Sequence, residues 1–558
     1  MQIRVQLEKL FTTALEAAVA DGSLALPEVP APALERPREA ANGDWASTVA
    51  MRSAKAARKA PRAIAEVIVA HLPENPLIAA VDIAGPGFIN VRLTPAALQQ
   101  VVADVLAEGE DYGKGDPASL PAWSQHVNLE YVSANPTGPM HVGHGRWAAL
   151  DDAMARVMRH AGYQVSEEFY INDHGVQLDT FATSLEIRYR QLLGEDIALP
   201  ENSYGGGYVV DLARAIVDAD GDKWLAAPED ERHAEFRERG YQAMLASAKA
   251  TLAGFGTTFD TWFSERSLYV PGPDGASAVD RALAAFREKG YIYEKDGATW
   301  FASTALGDEK DRVLIKANGE MTYFMSDCAY HYNKLQRGFE HLIDIWGADH
   351  HGYIKRCEAM LEAWGYPGTL EVVLGQLVNL FRDGEAVRMS KRTGEMVTFD
   401  ELIDEVGVDA TRFLMLCKSS DQPIDFDIEV AKRKDATNPV YYVQYAHARI
   451  CSILRKAGDA ATGEADLSLL SAPEELALMS IMDDFTDLVA LAARERAPYK
   501  LTHYAQDLAA AFHQFYTQCR VITDDEALTA ARLALCDATR QLLALTLSLL
   551  GVSAPEMM

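Results

Sequence analysis

Cysteine is sparse and scattered. The six residues Cys328, Cys357, Cys417, Cys451, Cys519 and Cys536 form no C-x-x-C pair, which excludes a disulfide framework and a cysteine-built zinc site as organising features. They read as reduced core thiols. No run of 18 apolar residues, no N-terminal apolar signal segment and no lipidation signal occurs, so the chain is expected to be soluble and cytoplasmic, with no membrane contact. No repeat at solenoid spacing is present. The glycine run 205–207 is not followed by Lys-Ser/Thr, and no strand precedes it; it reads as a flexible turn and not as a phosphate loop. Positive charge is also scarce: 52 Lys and Arg face 81 Asp and Glu, a formal net charge of -29. A chain so acidic can hold a polyanion only through local basic patches.

What is present begins with size. At 558 residues and 49% apolar, the chain can bury several cores, and three or four domains are expected. Its most informative stretch is 134–144, A-N-P-T-G-P-M-H-V-G-H. An apolar, β-prone run at 127–132 precedes this turn, and helical spacing of Leu150, Met154, Val157, Met158 and Ala161 follows it; helical segments are also expected around 45–72 and a helix from 351 to 364. Such a strand-turn-helix unit ends in unpaired N–H groups and the positive end of a helix dipole, a natural place for phosphates. His141 and His144 stand there three residues apart, able to donate hydrogen bonds to phosphoryl oxygens as charge develops. Gly143 between them would let a flat base lie against the backbone. A zinc pair and a capping histidine are the other readings; no H-E-x-x-H glutamate and no obvious third ligand follow.

A second signal lies at 387–394, V-R-M-S-K-R-T-G, a basic loop after the strand-like run 372–380 and the turn at 381–385. With H-V-G-H, it resembles the H-I-G-H and K-M-S-K-S motifs of class I aminoacyl-tRNA synthetases. The resemblance narrows to the arginyl-tRNA synthetases through residues 128–144, 307–313 (G-D-E-K-D-R-V), 347–353 (G-A-D-H-H-G-Y) and 438–449 (N-P-V-Y-Y-V-Q-Y-A-H-A-R), in that family's order and across essentially the whole chain. Arg388 stands where the family has its first Lys and Arg392 where it has its final Ser. Lys391 keeps the lysine that holds the ATP phosphates.

The resemblance implies a fold, a reaction and a set of residues. The expected fold is α/β: a Rossmann-like catalytic domain over residues 116–400 with insertions at about 176–250 and 271–320. It is flanked by an N-terminal α+β domain (1–115) that contacts tRNA. A helical connection (401–437) leads to an all-α anticodon-binding bundle (438–558). The expected reaction joins L-arginine to its tRNA through an arginyl-adenylate, using ATP with Mg2+, in a monomer whose activation step requires the tRNA. His141, His144 and Lys391 would be catalytic. ATP would lie on Ala134, Pro136, Thr137, Gly138, Pro139, Met140, His141, Val142, Gly143, His144, Asp349, His350, Arg388, Met389, Ser390 and Lys391. Arginine would be held by Glu130, Asn135, His141, Tyr323 and Asp327, since a guanidinium calls for carboxylate partners and an acid in an apolar strand, as Glu130 is, would otherwise be costly. No protein-held metal is expected.

For tRNA, two surfaces stand out. Between Trp45 and Ala65 there is no acid, but there are Arg52, Lys55, Arg58, Lys59 and Arg62, of which Arg52, Lys55 and Lys59 fall on one face of an expected helix. Tyr441, Tyr442, Tyr445, His447 and Arg449 offer aromatic and cationic surface for unpaired bases, with Tyr441, Tyr445 and Arg449 the contacts of choice. Core packing is the competing reading for the tyrosines. Two readings from other classes remain beside the ligase: a small-molecule nucleotidyltransferase, which would not need flanking RNA-binding domains, and a non-catalytic RNA-binding relative, which would not need both histidines and Lys391.

Overall fold

The computed structural model describes residues 3–37, 39–387, 397–458 and 465–558. At its centre is a parallel sheet of five strands in the order Leu370–Gly375, His341–Gly347, Val127–Glu130, Val165–Ile171, Thr261–Ser264. The doubly wound order places Val127–Glu130 in the middle, so its carboxyl end opens where such sheets bind ligands. The Val142–His160 helix follows that strand, burying Ala149, Leu150, Ala153, Met154, Val157 and Met158. Three helices, Val176–Leu192, Gly207–Asp220 and Glu229–Gly254, are inserted before the edge strand. A further insertion holds Ala278–Glu288 and an antiparallel sheet of Ile292–Lys295, Ala298–Phe301 and Arg312–Ile315, and leads into the Tyr323–Gln336 helix.

The N-terminal unit packs the Ile3–Ala20, Val49–Ala57 and Pro61–His71 helices on a four-stranded sheet. Thr94 caps the Pro95–Glu108 helix by accepting from Ala97 N–H, with Pro95 at the first helical position, so that two of the helix's first backbone positions need no further partner. The C-terminal bundle consists of Pro439–Ala457, Pro473–Arg494, Tyr499–Gln518 and Glu526–Leu549; the last buries its leucines at 533, 535, 542, 543, 545, 547 and 549.

Four expectations are corrected. The strand expected to reach Val132 stops at Glu130, because Val132 and Ser133 take left-handed φ of 66° and 38°, costly for side chains of their kind. The bend is held by the Ser133 hydroxyl, which donates to Glu130 Oε1 (3.0 Å) and accepts from Tyr170 N–H (3.1 Å). The apolar run 372–380 is two strands in two sheets: Leu370–Gly375 belongs to the central sheet, while Val378–Arg382 pairs with Glu385–Ala386 and Ile424–Asp427. The buried Arg146 guanidinium makes that break by binding the carbonyls of Gln376 (2.8 Å) and Leu377 (3.4 Å), besides those of Ser419 and Gln422. Trp45–Ser47 is a strand paired with Phe88–Leu93 and not the start of a helix. Finally, the expected helix at 351 begins at Ile354, after a 3-10 turn over Ala348–Tyr353.

A buried contact joins parts of the chain far apart in sequence. The fully buried Arg412 forms an ion pair with Asp152 of the Val142–His160 helix and donates to Phe255 O (3.0 Å), Thr257 Oγ1 (3.3 Å) and Leu550 O at the end of the last helix (3.2 Å). A Cβ at Gly551 would come within 2.2 Å of this guanidinium, so the chain turns away there as glycine. Removing one side of a buried pair typically costs about 3–5 kcal/mol. Arg412→Met should therefore lower the urea midpoint clearly. Arg62→Ala, at an exposed pair with Glu66 (3.7 Å), should change stability by no more than about 1 kcal/mol. Equal midpoints for the two variants would deny Arg412 this role.

Candidate active site

The histidine pair is built on the start of the Val142–His160 helix. His141 is its N-cap, and His144 Nδ1 accepts the His141 backbone N–H (3.3 Å), which leaves the His144 proton on Nε2. The two half-exposed rings stack with centroids 3.6 Å apart. Capping and phosphate binding are thus compatible in one pair. Met140 O accepts from Phe399 N–H (2.9 Å), and His141 bridges to Thr398, so the exit of the second signature is tied to the first. Arg388, Met389, Ser390 and Lys391 themselves lie outside the described residues.

Glycine is required at one point to which no sequence signal pointed. A Cβ at Gly145 would stand 2.1 Å from the Phe399 ring, so the helix and the returning chain approach through a missing side chain. The turn before it is also supported: Pro136, Thr137 and Met140 are buried, Ala134, Gly138, Pro139 and Gly143 are half-buried, and Tyr208 of the first insertion donates to Thr137 O (2.8 Å). Asp349 and the exposed His350 fall in the Ala348–Tyr353 turn, beyond the carboxyl end of His341–Gly347.

Beside the histidine pair lies an acidic pocket. Glu130 closes the central strand, and its Oε2 accepts from Lys334 Nζ (2.7 Å), which also donates to Asp344 Oδ1 (2.9 Å). Lys334 is fully buried against the Tyr330 ring, its Nζ 4.5 Å from the centroid. His331 contacts Asp344 Oδ2 through Nε2 and Asp327 O through Nδ1, each at 2.9 Å. Asp327, half-buried, accepts the Tyr353 hydroxyl, and Tyr323 one turn earlier is 70% exposed. Asn135 is exposed, its amide donating to Gln177 Oε1 (2.8 Å). Glu168 pairs with Arg337 and accepts from Tyr330 (2.6 Å).

The electrostatics follow from burial. Burial pushes the Asp327 carboxyl up to about 6, against the Tyr353 hydrogen bond. Burial also raises Glu130 against the pull of Lys334, with Asp344 and Glu168 adding to the rise. In Asp344 burial is overcome, and Lys334 with His331 holds the carboxyl well below the usual range. Glu265, buried across Tyr170, is pushed up to about 7 by burial. The sequence pointed to Glu130, Tyr323 and Asp327 but not to Lys334, His331, Asp344 or Glu265. The polar residues 323, 327, 331 and 334 recur at helical spacing on one face, and that period is the signal that would have found two of them.

The basic patch is partly rearranged. Arg52 and Lys55 are exposed on Val49–Ala57, but Arg58 caps that helix in a left-handed conformation (φ 49°) ahead of the Pro61–His71 helix. Lys59 therefore does not share their helical face, and its ammonium donates to Ser23 O. In the bundle, Tyr441 and Tyr445 stack with centroids 6.1 Å apart, and Arg449 lies 4.9 Å over Tyr445 and 5.1 Å over Tyr516. Core packing takes His447, which is buried against Pro555 O (2.9 Å), and leaves Tyr441 and Tyr442 half-buried and Tyr445 exposed.

Three family models match the chain: "Arginyl tRNA synthetase N terminal domain" over 6–93, "tRNA synthetases class I (R), catalytic domain" over 102–199 and 275–450, and "DALR anticodon binding domain" over 443–558. The chain is 46% identical to the arginine–tRNA ligase of Heliobacterium modesticaldum, covering 100% of this chain and 99% of that one. To the arginine–tRNA ligase of Geobacillus kaustophilus it is 47% identical over 99% of each. The solved arginyl-tRNA synthetase of Thermus thermophilus superposes with a TM-score of 0.77 at 26% identity, covering 100% of both chains.

Proposed function

From the premise that the chain belongs to the arginyl-tRNA synthetases and is an ATP-dependent arginine–tRNA ligase, we propose how its residues divide the work. The observation that carries the reading is the acidic pocket at the carboxyl end of the central strand, beside the paired histidines. Glu130, Asp327, Asn135 and Tyr323 hold the arginine side chain, and His141 borders its carboxylate. ATP lies over the turn from Ala134 to His144, reaching Asp349, His350 and the loop of Arg388, Met389, Ser390 and Lys391. The arginine carboxylate attacks the α-phosphorus, the bond to the bridging oxygen breaks and diphosphate leaves. The 2′-hydroxyl of the terminal adenosine then attacks the arginyl carbonyl and AMP departs. His141, His144 and Lys391 stabilise phosphoryl charge, since catalysis of this transfer is positioning and electrostatics.

Magnesium enters as part of the nucleotide substrate. Mg2+ keeps waters and phosphate oxygens as its main ligands. The N-terminal unit to about residue 115, through Arg52 and Lys55 and, from beyond the end of their helix, Lys59, and the bundle from about 438, through Tyr441, Tyr445 and Arg449, bind the tRNA. The catalytic domain lies between them, with 401–437 as a connection. Among the described residues no helix is long and apolar enough to cross a membrane; the enzyme works as a cytoplasmic monomer. Aminoacylation of bulk tRNA with each of the twenty amino acids, and ATP–diphosphate exchange with and without tRNA, test the reading. Charging by arginine alone and tRNA-dependent exchange support it.

His141→Ala and His144→Ala should each cost roughly 2.7–4 kcal/mol of transition-state stabilisation, as loss of one preorganised donor does, with folding intact by circular dichroism. Normal turnover in both would sink their assignment. Glu130→Gln and Asp327→Asn should raise the arginine KM far more than the ATP KM. An Asp327 carboxyl at about 6 is charged above that pH and neutral below it. Accordingly kcat/KM for arginine should fall about tenfold per unit as pH drops below it, and Asp327→Asn should flatten that limb. Replacing Arg52, Lys55 and Lys59 together by Ala should reduce the slope of log tRNA affinity against log salt by about 0.7–0.9 for each phosphate no longer neutralised. An unchanged slope would mark the patch as ordinary solvated surface.

A further inference from the structure

Lys334 takes no part in the chemical steps, yet it is among the largest fully buried side chains of the protein. A lysine ammonium is rarely sealed from water unless paired. Here one ammonium is shared by two carboxylates, at 2.7 Å from Glu130 and 2.9 Å from Asp344. Of the three side chains, Glu130 keeps 15% exposure, against 2% for Asp344 and none for Lys334. The unbalanced charge of the trio therefore faces the open pocket through Glu130.

The surrounding groups set the balance. His331 makes both ring contacts to acceptors, a carboxylate and a carbonyl, which requires both nitrogens to donate and the ring to be charged. Glu168 is matched by Arg337. Around the pocket floor four carboxylates, Glu130, Asp327, Asp344 and Glu168, thus face three cations, Lys334, His331 and Arg337. Glu265, across Tyr170 and pushed up to about 7, adds only a partly ionised carboxyl. Among the described residues of this floor, the balance is one positive charge short.

We propose that Lys334 is a specificity-determining positioning residue: by sharing its charge between Asp344 and Glu130 it fixes the Glu130 carboxylate in place and leaves the pocket short of one cation, which a guanidinium supplies and a neutral urea isostere does not. The proposal rests on the reading of Glu130 as an arginine ligand. It differs from a packing role because it depends on the count of charges. Lys334→Met leaves two buried carboxylates without their ammonium, so Glu130 takes a proton at neutral pH. Lys334→Met with Asp344→Asn restores the count, and removing both partners of a buried pair is far less damaging than removing one.

The test measures KM for arginine and for ATP from pH 6 to 9, and inhibition by citrulline, in wild type, K334M, D344N, K334M/D344N and E130Q. In K334M the arginine KM should rise at least about tenfold, a change equal to roughly 1.4 kcal/mol, and it should improve as pH rises through the alkaline range. The ATP KM should stay within about twofold and discrimination against citrulline should shrink. The double variant should return to within about threefold of wild type, with the wild-type pH profile. Should K334M fail to fold, the double variant alone decides: folded, with arginine KM raised about tenfold, it overturns the proposal. So does a K334M protein with wild-type arginine KM, or a double variant no better than K334M. An E130Q variant with unchanged arginine KM would instead sink the guanidinium reading beneath it, whereas E130Q impaired with K334M unaffected removes Lys334 alone.

Discussion

Two guanidinium groups sealed from water hold this chain's parts in one arrangement. Arg412 joins the Val142–His160 helix to the end of the first insertion and to the Leu550 carbonyl at the end of the last helix. Arg146, one turn into the same helix, ties it to the chain that enters the second signature. A buried arginine needs most of its donors matched, and the carbonyls that these two bind, at Gln376, Leu377, Ser419 and Gln422 for Arg146 and at Phe255 and Leu550 for Arg412, are fixed in space by the match. The helix that presents His141 and His144 is therefore positioned by segments from far along the chain, and movement of the bundle would have to disturb a contact made at Asp152.

The candidate site gathers opposite electrostatic demands within one strand-turn-helix unit. The helix start and its histidines favour phosphate, while the floor beneath Glu130 favours a cation. The two are separated by the bend at Val132 and Ser133, which ends the strand after Glu130 and leads into the turn before His141. Ser133 serves both sides of that bend by binding Glu130 and the neighbouring strand. The overall charge of -29 is compatible with a tRNA partner only because charge is unevenly spread. Exposed Arg52 and Lys55 and the Arg449 edge of the bundle supply local positive surface.

Much of this was legible from local signals. The histidine turn, the helix after it, the strand Val165–Ile171 and the Thr94 cap are encoded within a few residues, where hydrophobic spacing and capping chemistry act directly. Glu130 was implied by the resemblance, and a carboxylate in an apolar strand added a physical reason to single it out. Its partner Lys334 was not, because an ammonium on a helix is ordinary until the helix is laid across the sheet. Lys59 failed for a related reason: helical spacing continued in the letters, but Arg58 closed the helix in the left-handed region.

Period, caps and motif spacing are properties of short stretches, and they were enough to specify the strand-turn-helix unit and the helical C-terminus, while the class of the molecule and its parallel core were implied by the resemblance its motifs carry. Other features wait on the assembled chain: the division of 372–380 between two sheets, the approach of Phe399 to Gly145, and the charge shared by Glu130, Asp344 and Lys334. Each of these joins residues far apart in the sequence. Their energies come from desolvation and close approach, which exist only once distant segments have been brought together.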